Sequence, residues 1–319
     1  MEFQTKHTRF RGYQLKTKGS SFSYWNGSHF SLGEARYNDD NKNSIWHELK
    51  MCGKTSIDLL HITSWDADHC SSTELNNILK ELKPKRIEYP GYPIDTNTQN
   101  QLDSLAAILK YEAGDVNAPK VIKVDKIDPT YIATLGTSSE WDFSNILFNN
   151  KKDYPTSNNN STIKLFKTGC FSVLSLGDLE LEEISKWLVQ FKAIKTEVDV
   201  LIMAHHGSDN GFTTADFLDA VKPKVAFCLC DYGNQYDHPS KNVIQLLGNK
   251  KIDYYSTKQG DVIIESIEDH QKKYRVWDYI SDGEKLREYP STYNSKRYSK
   301  HTSDNFLKMI QNFNKNKGL

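Results

Sequence analysis

Asp66-Ala67-Asp68-His69 places two carboxylates and an imidazole within four residues, directly after the apolar run Ile57-Asp58-Leu59-Leu60-His61-Ile62. Folding alone does not need so many metal-ligand side chains at the exit of a buried strand. The cluster points to a hydrolytic metal centre. Three further polar clusters also follow apolar runs: Gly177-Asp178, His205-His206-Gly207-Ser208 and His238-Pro239-Ser240. Asp66, Asp68 and Asp178 offer oxygen; His69, His205 or His206, and His238 offer nitrogen. This mixed set suits one or two divalent ions, Mn²⁺ or Zn²⁺, and disfavours a thiolate-rich structural zinc. An ion held this way lowers the pKa of a bound water from about 15.7 toward about 7 and neutralises charge developing on a phosphoryl oxygen.

The elements that must position these clusters read as strands alternating with helices. Aromatic and apolar residues between 9 and 35, broken by Gly19, Gly27 and Gly33, predict short antiparallel strands. A strand over 56–63 runs into the Asp/His cluster, and Ser71 opens a helix with Ile78, Leu79 and Leu82 on one face. A strand at 86–89 and a helix over 98–112 follow, then a turn-rich region to 160 with strand candidates at 120–124 and 131–135. Ser161 to Phe166 and Cys170 to Leu176 form a hairpin that empties into Gly177-Asp178. Apolar residues from Leu181 to Ile194 recur at helical spacing, and a strand over Val198 to Ala204 runs into the His pair. A helix carrying Phe217, Leu218 and Val221 leads to the strand Val225 to Leu229, and Ser240 caps a helix that stops at Gly248. Strands at Asp253 to Ser256 and Val262 to Glu265 close the domain. Loops leaving the carboxyl ends of strands are where ligands sit in open α/β sheets, so the four clusters are expected to share one site.

The composition is that of an ordinary α/β chain: 319 residues, 37% hydrophobic, with Lys+Arg and Asp+Glu both at 41. That balance gives no global field toward nucleic acid or anionic lipid, so phosphate binding must come from a local patch. The five cysteines are an odd, sparse set, which argues against a disulfide framework and for a reducing compartment. No apolar run approaches the roughly 18 residues of a membrane helix, and the expected location is the cytoplasm. Cys228 and Cys230 read as core residues on one strand face, and His61 as a satisfied core histidine.

Six motifs in order carry a family resemblance: Asp66-Ala67-Asp68-His69, Asn159-Asn160-Ser161, Leu176-Gly177-Asp178, His205-His206-Gly207-Ser208, Asn234-Gln235-Tyr236-Asp237-His238-Pro239 and Thr257-Lys258-Gln259-Gly260-Asp261-Val262. The chain resembles the metallo-β-lactamase superfamily over about residues 10–268, and more narrowly the soluble domain of ComEC and its stand-alone relatives. The resemblance implies an αββα sandwich with the metal site at one edge of the two sheets. It also implies a phosphodiesterase or nuclease acting on nucleic acid. On the same grounds Asp178 bridges two ions, and Asp68 with His69 holds the second. Of the His pair, His205 is taken as a ligand and His206, with Asp68, as catalytic; the second His serves as the acid for the leaving oxygen or as another ligand. Ser208, Asn160 and Ser64 are candidate substrate contacts.

One departure stands out. The superfamily's first motif is His-x-His-x-Asp-His, and this chain has Ser64 at the first position and Asp66 at the second. The second metal site is therefore the more complete, and an oxygen-rich, Mn²⁺-like centre is expected. Two alternatives keep the same fold: a hydrolase of cyclic or short oligonucleotides, and a binding or sensing subunit of a multiprotein complex in which Ser64 has crippled the site. Residues 1–280 are expected to form the hydrolase domain, and 281–319 a basic, aromatic extension with a helix over 303–314.

Overall fold

The computed structural model describes residues 7–114, 120–124, 146–148, 153–231, 233, 235–280, 285–286 and 290–296. Its strands are β1 (Arg9–Gly12), β2 (Phe22–Trp25), β3 (Phe30–Gly33), β4 (Leu59–His61), β5 (Arg86–Pro90), β6 (Lys120–Val124), β7 (Ile146–Phe148), β8 (Ile163–Phe166), β9 (Val173–Ser175), β10 (Val200–Ile202), β11 (Val225–Cys228), β12 (Asp253–Ser256), β13 (Val262–Ile267), β14 (Lys273–Ile280), β15 (Lys285–Leu286) and β16 (Ser291–Asn294). The helices are α1 (Lys42–Met51), α2 (Ser72–Glu81), α3 (Gln99–Ala113), α4 (Glu182–Leu188), α5 (Lys192–Glu197), α6 (Ala215–Val221) and α7 (Lys241–Asn249).

Two sheets form. The first runs β15-β14-β13-β1-β2-β3-β4-β5-β6, with β16 also on β14; the second runs β12-β11-β10-β9-β8-β7. Between them lies an aromatic core from both inner faces, in which Phe10 meets Phe227 edge-on at 5.0 Å and Phe22 meets Phe166 at 5.9 Å. A second core joins α1, α2 and α3 to the outer face of the first sheet through Ile45, Leu49, Leu75, Ile78 and Ile108. A third joins α4 to α7 to the outer face of the second sheet through Ile184, Leu188, Phe217, Val221 and Leu247. Each sheet buries one face on the other and one under helices, which is the αββα sandwich. The parallel strands β9, β10 and β11 are buried throughout, as strands covered on both sides must be. By contrast β13 and β14 alternate buried and half-exposed residues.

The expected hairpin appears as antiparallel β8 and β9, and the hydroxyl of Ser240 caps α7 by accepting from the Val243 N–H. Elsewhere the boundaries moved. The span from Leu181 to Ile194 is two helices: the chain turns at Val189 to Phe191, with Phe191 extended before α5, so both pieces keep their apolar residues on the sheet. Helix α7 runs past Gly248, and its last turn closes through the Lys250 N–H. Helix α1 and strand β14 had no place in the sequence reading. The first hides its pattern under polar residues, with Glu48 buried between Arg9 and Arg11. Packing also continues beyond residue 280, because β16 pairs with β14 and the Lys296 N–H donates to buried Asp199. The strand expected at 131–135 and the helix at 303–314 lie outside the described residues. Among the described residues, no helix is long and apolar enough to cross a membrane.

The site follows from strand direction. Strands β3 and β4 are parallel neighbours in one sheet, and β9, β10 and β11 in the other, so both sets of carboxyl ends meet at one edge of the sandwich. There the Thr162 N–H donates to the Thr63 carbonyl, and the His205 N–H to the Gly177 carbonyl.

Candidate metal centre

After β4 the chain makes a tight turn in which the Asp66 carbonyl accepts from the His69 and Cys70 N–H groups. The turn brings Asp68 and His69 toward Asp178, which follows β9. Gly177 has φ +55°, and a Cβ there would sit 2.7 Å from the Ser161 Cβ, so a residue with a side chain could not make this sharp exit from the strand. His205 and His206 both hold left-handed backbone, φ 47° and 54°, and their rings stand 6.0 Å apart at 63° to each other.

Asp68, His69, Asp178 and His206 each offer a donor atom, all within 4.8 Å of one another. His69 is buried. Its Nδ1 lies 3.1 Å from Glu34 Oε1, and that carboxylate also accepts from the Thr63 N–H and hydroxyl. Nδ1 must therefore carry the proton, leaving Nε2 3.0 Å from Asp178 Oδ2 without hydrogen-bond geometry. His206 is fixed in the same sense: its Nδ1–H donates to the Leu229 carbonyl at 2.7 Å. Its Nε2 is buried without a hydrogen-bond partner, 3.6 Å from Asp178 Oδ1. Two imidazole lone pairs thus converge on one carboxylate. Such an arrangement repels itself unless a proton or a cation lies between, and the donor set fits a divalent ion.

The electrostatics describe the same pocket with protons in the ion's place. Burial works against charge on His69, but Asp178 and Glu34 outweigh it and hold its pKa well above the ordinary imidazole value. Burial also opposes ionisation of Asp178, yet His69 and His206 hold it far below the usual carboxylate range. Asp68 is lowered as well, against its own burial, chiefly by His69. His238 is pushed down to about 4 by burial and by the facing His206 and His205.

A cavity of about 750 Å³ opens beside the cluster, lined among others by Asp66, Asp178, His205, His206, Ser208 and His238. Four sequence candidates thus share the cluster, and Asp66, His205, His238 and Ser208 stand on the cavity wall. Asp66 Oδ2 accepts from the hydroxyls of Ser157 and Ser64 at 2.6 and 3.1 Å, which holds it apart from the four. Of the His pair, whose roles the sequence leaves open, His206 is the member that stands in the cluster. His205 Nδ1 sits 3.0 Å from Glu180 Oε1 with Nε2 still 4.0 Å from Asp178.

Two expected substrate contacts do not reach the cavity. Ser64 is 0% exposed, and its hydroxyl is spent on Asp66 and on the Tyr92 hydroxyl. Asn160 donates its amide to the Tyr154 and Thr156 carbonyls and accepts from the Tyr154 N–H, which braces a turn. Glu34 and Glu180 are not among the sequence candidates, yet each holds a histidine of the site at Nδ1. An acid directly after the strand Phe30–Gly33 is the same signal that marked Asp178, whereas Glu180 reads as part of an acidic helix start. Asn234 of the fifth motif lies outside the described residues.

No family model matches the chain. It is similar to ComE operon protein 3 of Bacillus subtilis (strain 168), with 29% identity over 265 residues, 79% of this chain and 30% of that protein. The chain thus spans about a third of the length of this curated relative. Among solved structures it is similar to Igni18, a metallo hydrolase from the archaeon Ignicoccus hospitalis, with 11% identity, a TM-score of 0.49 and coverage of 80% of this chain and 98% of that one. It is also similar to the metallo-β-lactamase fold protein YhfI of Bacillus subtilis, with 10% identity, a TM-score of 0.47 and coverage of 81% and 99%. In the order of its motifs, in its αββα layers and along most of its sequence, the chain is similar to the metallo-β-lactamase-fold hydrolases of the ComEC-like branch.

Proposed function

We propose that the chain is a metal-dependent phosphodiesterase that cleaves nucleic acid. The observation that carries this reading is the pair of buried, unpartnered nitrogens, His69 Nε2 and His206 Nε2, converging on Asp178, which itself lines a cavity of about 750 Å³. Asp68, His69, Asp178 and His206 are the ligands in this reading, with Asp66 and His238 at its margin, and the mixed set of carboxylates and imidazoles favours Mn²⁺ or Zn²⁺. When bound, the ion supplies an acidified water and charge neutralisation at the phosphoryl group.

The chain's own residues do the rest. Glu34 fixes the His69 ring, and the Leu229 carbonyl fixes His206. Glu180 holds His205 at Nδ1, with the Asn158 amide donating to the same carboxylate oxygen at 3.0 Å. A proton on His205 Nε2 then faces the cavity and can pass to the leaving oxygen, which makes His205 the general acid. Ser208, which lines the same cavity, is the phosphate contact in this reading.

Elemental analysis of purified protein, paired with hydrolysis of a nucleoside phosphodiester after Mn²⁺ loading, tests the reading. Wild type is expected to hold at least one ion and turn over, while folded Asp178→Asn does neither. Metal-free wild type without turnover would sink the enzyme reading and leave a binding subunit.

A further inference from the structure

The cavity lining carries three carboxylates, Asp66, Asp68 and Asp178, which by themselves repel a phosphate. Arg36 also lines the cavity, but its guanidinium is consumed internally. It pairs with Glu74 and donates to the Lys18 and Asp68 carbonyls and to the Thr17 hydroxyl. These bonds, with the Ser20 N–H donating to the Asp68 carbonyl, clamp the segment around Lys18 against the metal cluster. Gly19 makes the clamp feasible: at φ +135°, a Cβ there would lie 2.5 Å from the Asp68 carbonyl oxygen.

What the clamp presents is the Lys18 ammonium. It lies 3.2 Å from Asp68 Oδ2, yet its side chain is 63% exposed. The Asp68 side chain is 12% exposed, so the solvent-facing partner is the ammonium, which can exchange this carboxylate for a ligand's phosphate. The same ammonium lies 5.9 Å from the centre of the Tyr236 ring. Tyr236 is 59% exposed, and its ring stacks on His238 at 5.6 Å and 23°. A large aromatic ring stacked on an imidazole and turned to solvent beside a cation serves no packing purpose.

We propose that Tyr236 and Lys18 form a nucleotide subsite, in which an unpaired base stacks on Tyr236 while Lys18 pairs with the phosphate of the same nucleotide. The proposal rests on the phosphodiesterase reading and narrows it. A base inside a duplex hides its faces from any side chain, so the substrate class is single-stranded or short oligonucleotide. Tyr236 sets which phosphodiester enters, and the cluster and His205 act on it.

Binding separates this proposal from catalysis. Thymidine 5′-monophosphate and inorganic phosphate are titrated by calorimetry into the full chain loaded with Mn²⁺. Tyr236→Ala is expected to weaken the nucleotide roughly 5- to 150-fold, the span of base–aromatic stacking, and far more than it weakens phosphate. Tyr236→Phe restores nucleotide binding, and Lys18→Ala weakens both ligands alike. Wild type that binds the nucleotide no better than phosphate overturns the subsite. So does Tyr236→Ala that loses both ligands equally or neither. If this pattern appears while no phosphodiester is hydrolysed, catalysis fails and the subsite stands. If methyl p-nitrophenyl phosphate is hydrolysed but the pattern is absent, catalysis stands and the subsite fails.

Discussion

Glu34→Gln perturbs the metal centre without touching a ligand. The Glu34 carboxylate is almost fully buried and satisfies three groups: the Thr63 N–H at 3.0 Å, the Thr63 hydroxyl at 2.6 Å and His69 Nδ1 at 3.1 Å. A glutamine offers one acceptor oxygen and one amino group in the same space. If its oxygen faces Thr63 Oγ1 and His69, its amino group meets the Thr63 N–H donor to donor. If it flips, His69 loses its acceptor. Either arrangement leaves one buried donor unsatisfied, which costs about 1–3 kcal/mol of stability. The His69 ring also loses the partner that fixes its Nδ1–H tautomer, and losing such a partner typically weakens metal affinity about 10- to 100-fold. At a fixed, saturating metal concentration that loss removes about 1.4–2.7 kcal/mol of metal-induced stabilisation. Urea unfolding with chelator and with excess Mn²⁺ reads both quantities. The variant is expected to unfold earlier in chelator and to gain less from Mn²⁺ than wild type. A variant destabilised in chelator but with wild-type metal gain would refute the idea that Glu34 acts through His69, and an unchanged protein would refute the hydrogen-bond reasoning altogether.

The cation-free protein should show a specific pH dependence. His69 is raised above 6.5 in the fold, so its contribution is complete below that pH and is lost as pH rises through the folded value. Asp178 is depressed below 3.8, so its contribution is present above that pH and is lost as pH falls through the folded value. With chelator, this pair stabilises most between about 3.8 and 6.5; Mn²⁺ displaces the His69 proton, so the gap between melting curves with metal and with chelator should widen from pH 5 to 9. A narrowing gap would count against a metal at this cluster. Ser64→His, which puts an imidazole where the resemblance expects one, should cost about 1–3 kcal/mol in thermal unfolding, because Ser64 is 0% exposed and a larger side chain there overpacks its surroundings. It should add no ion by elemental analysis, and an added ion with full stability would overturn this account of Asp66 and Ser64. Glu180→Gln should lower kcat about 10- to 100-fold, less than the 10²–10⁴ of a whole general acid, with metal content unchanged. Loss of metal in step with activity would place Glu180 in the metal centre instead.

How much of this site was legible depended on which chemistry lies on the surface of the sequence. Asp66, Asp68, His69 and Asp178 were visible because each follows a run that reads as a buried strand, where an ionisable side chain is out of place unless it has work to do. The layering was visible for the same reason: strand and helix periods alternate from residue 56 onward, and the buried parallel strands are continuous apolar runs. Helix α1 escaped because its buried face includes Glu48, whose burial depends on two arginines from β1, far away in sequence. Strand β14 is an edge-side strand with one wet face, and Lys, Arg and Asp break its apolar pattern.

The His pair shows a limit of a different kind. Two adjacent histidines after a strand would normally point to opposite sides, and nothing in His205-His206 says which one faces the metal. The decision belongs to the left-handed backbone at both residues and to two partners remote in sequence, the Leu229 carbonyl and Glu180. Leu229 contributes a main-chain oxygen, which no side-chain motif can encode, and it turns His206 Nε2 toward Asp178. Glu180 holds His205 at Nδ1 outside the cluster, and in the proposed reading His206 is the ligand of the pair and His205 the proton carrier. In that reading the division of labour between ligand and acid lies in where the surrounding acceptors aim each ring, because both rings are held at Nδ1 and differ in what their Nε2 faces. Replacing Glu180 and replacing Asp178 should for that reason give different failures, lost turnover with metal retained in one case and lost metal in the other.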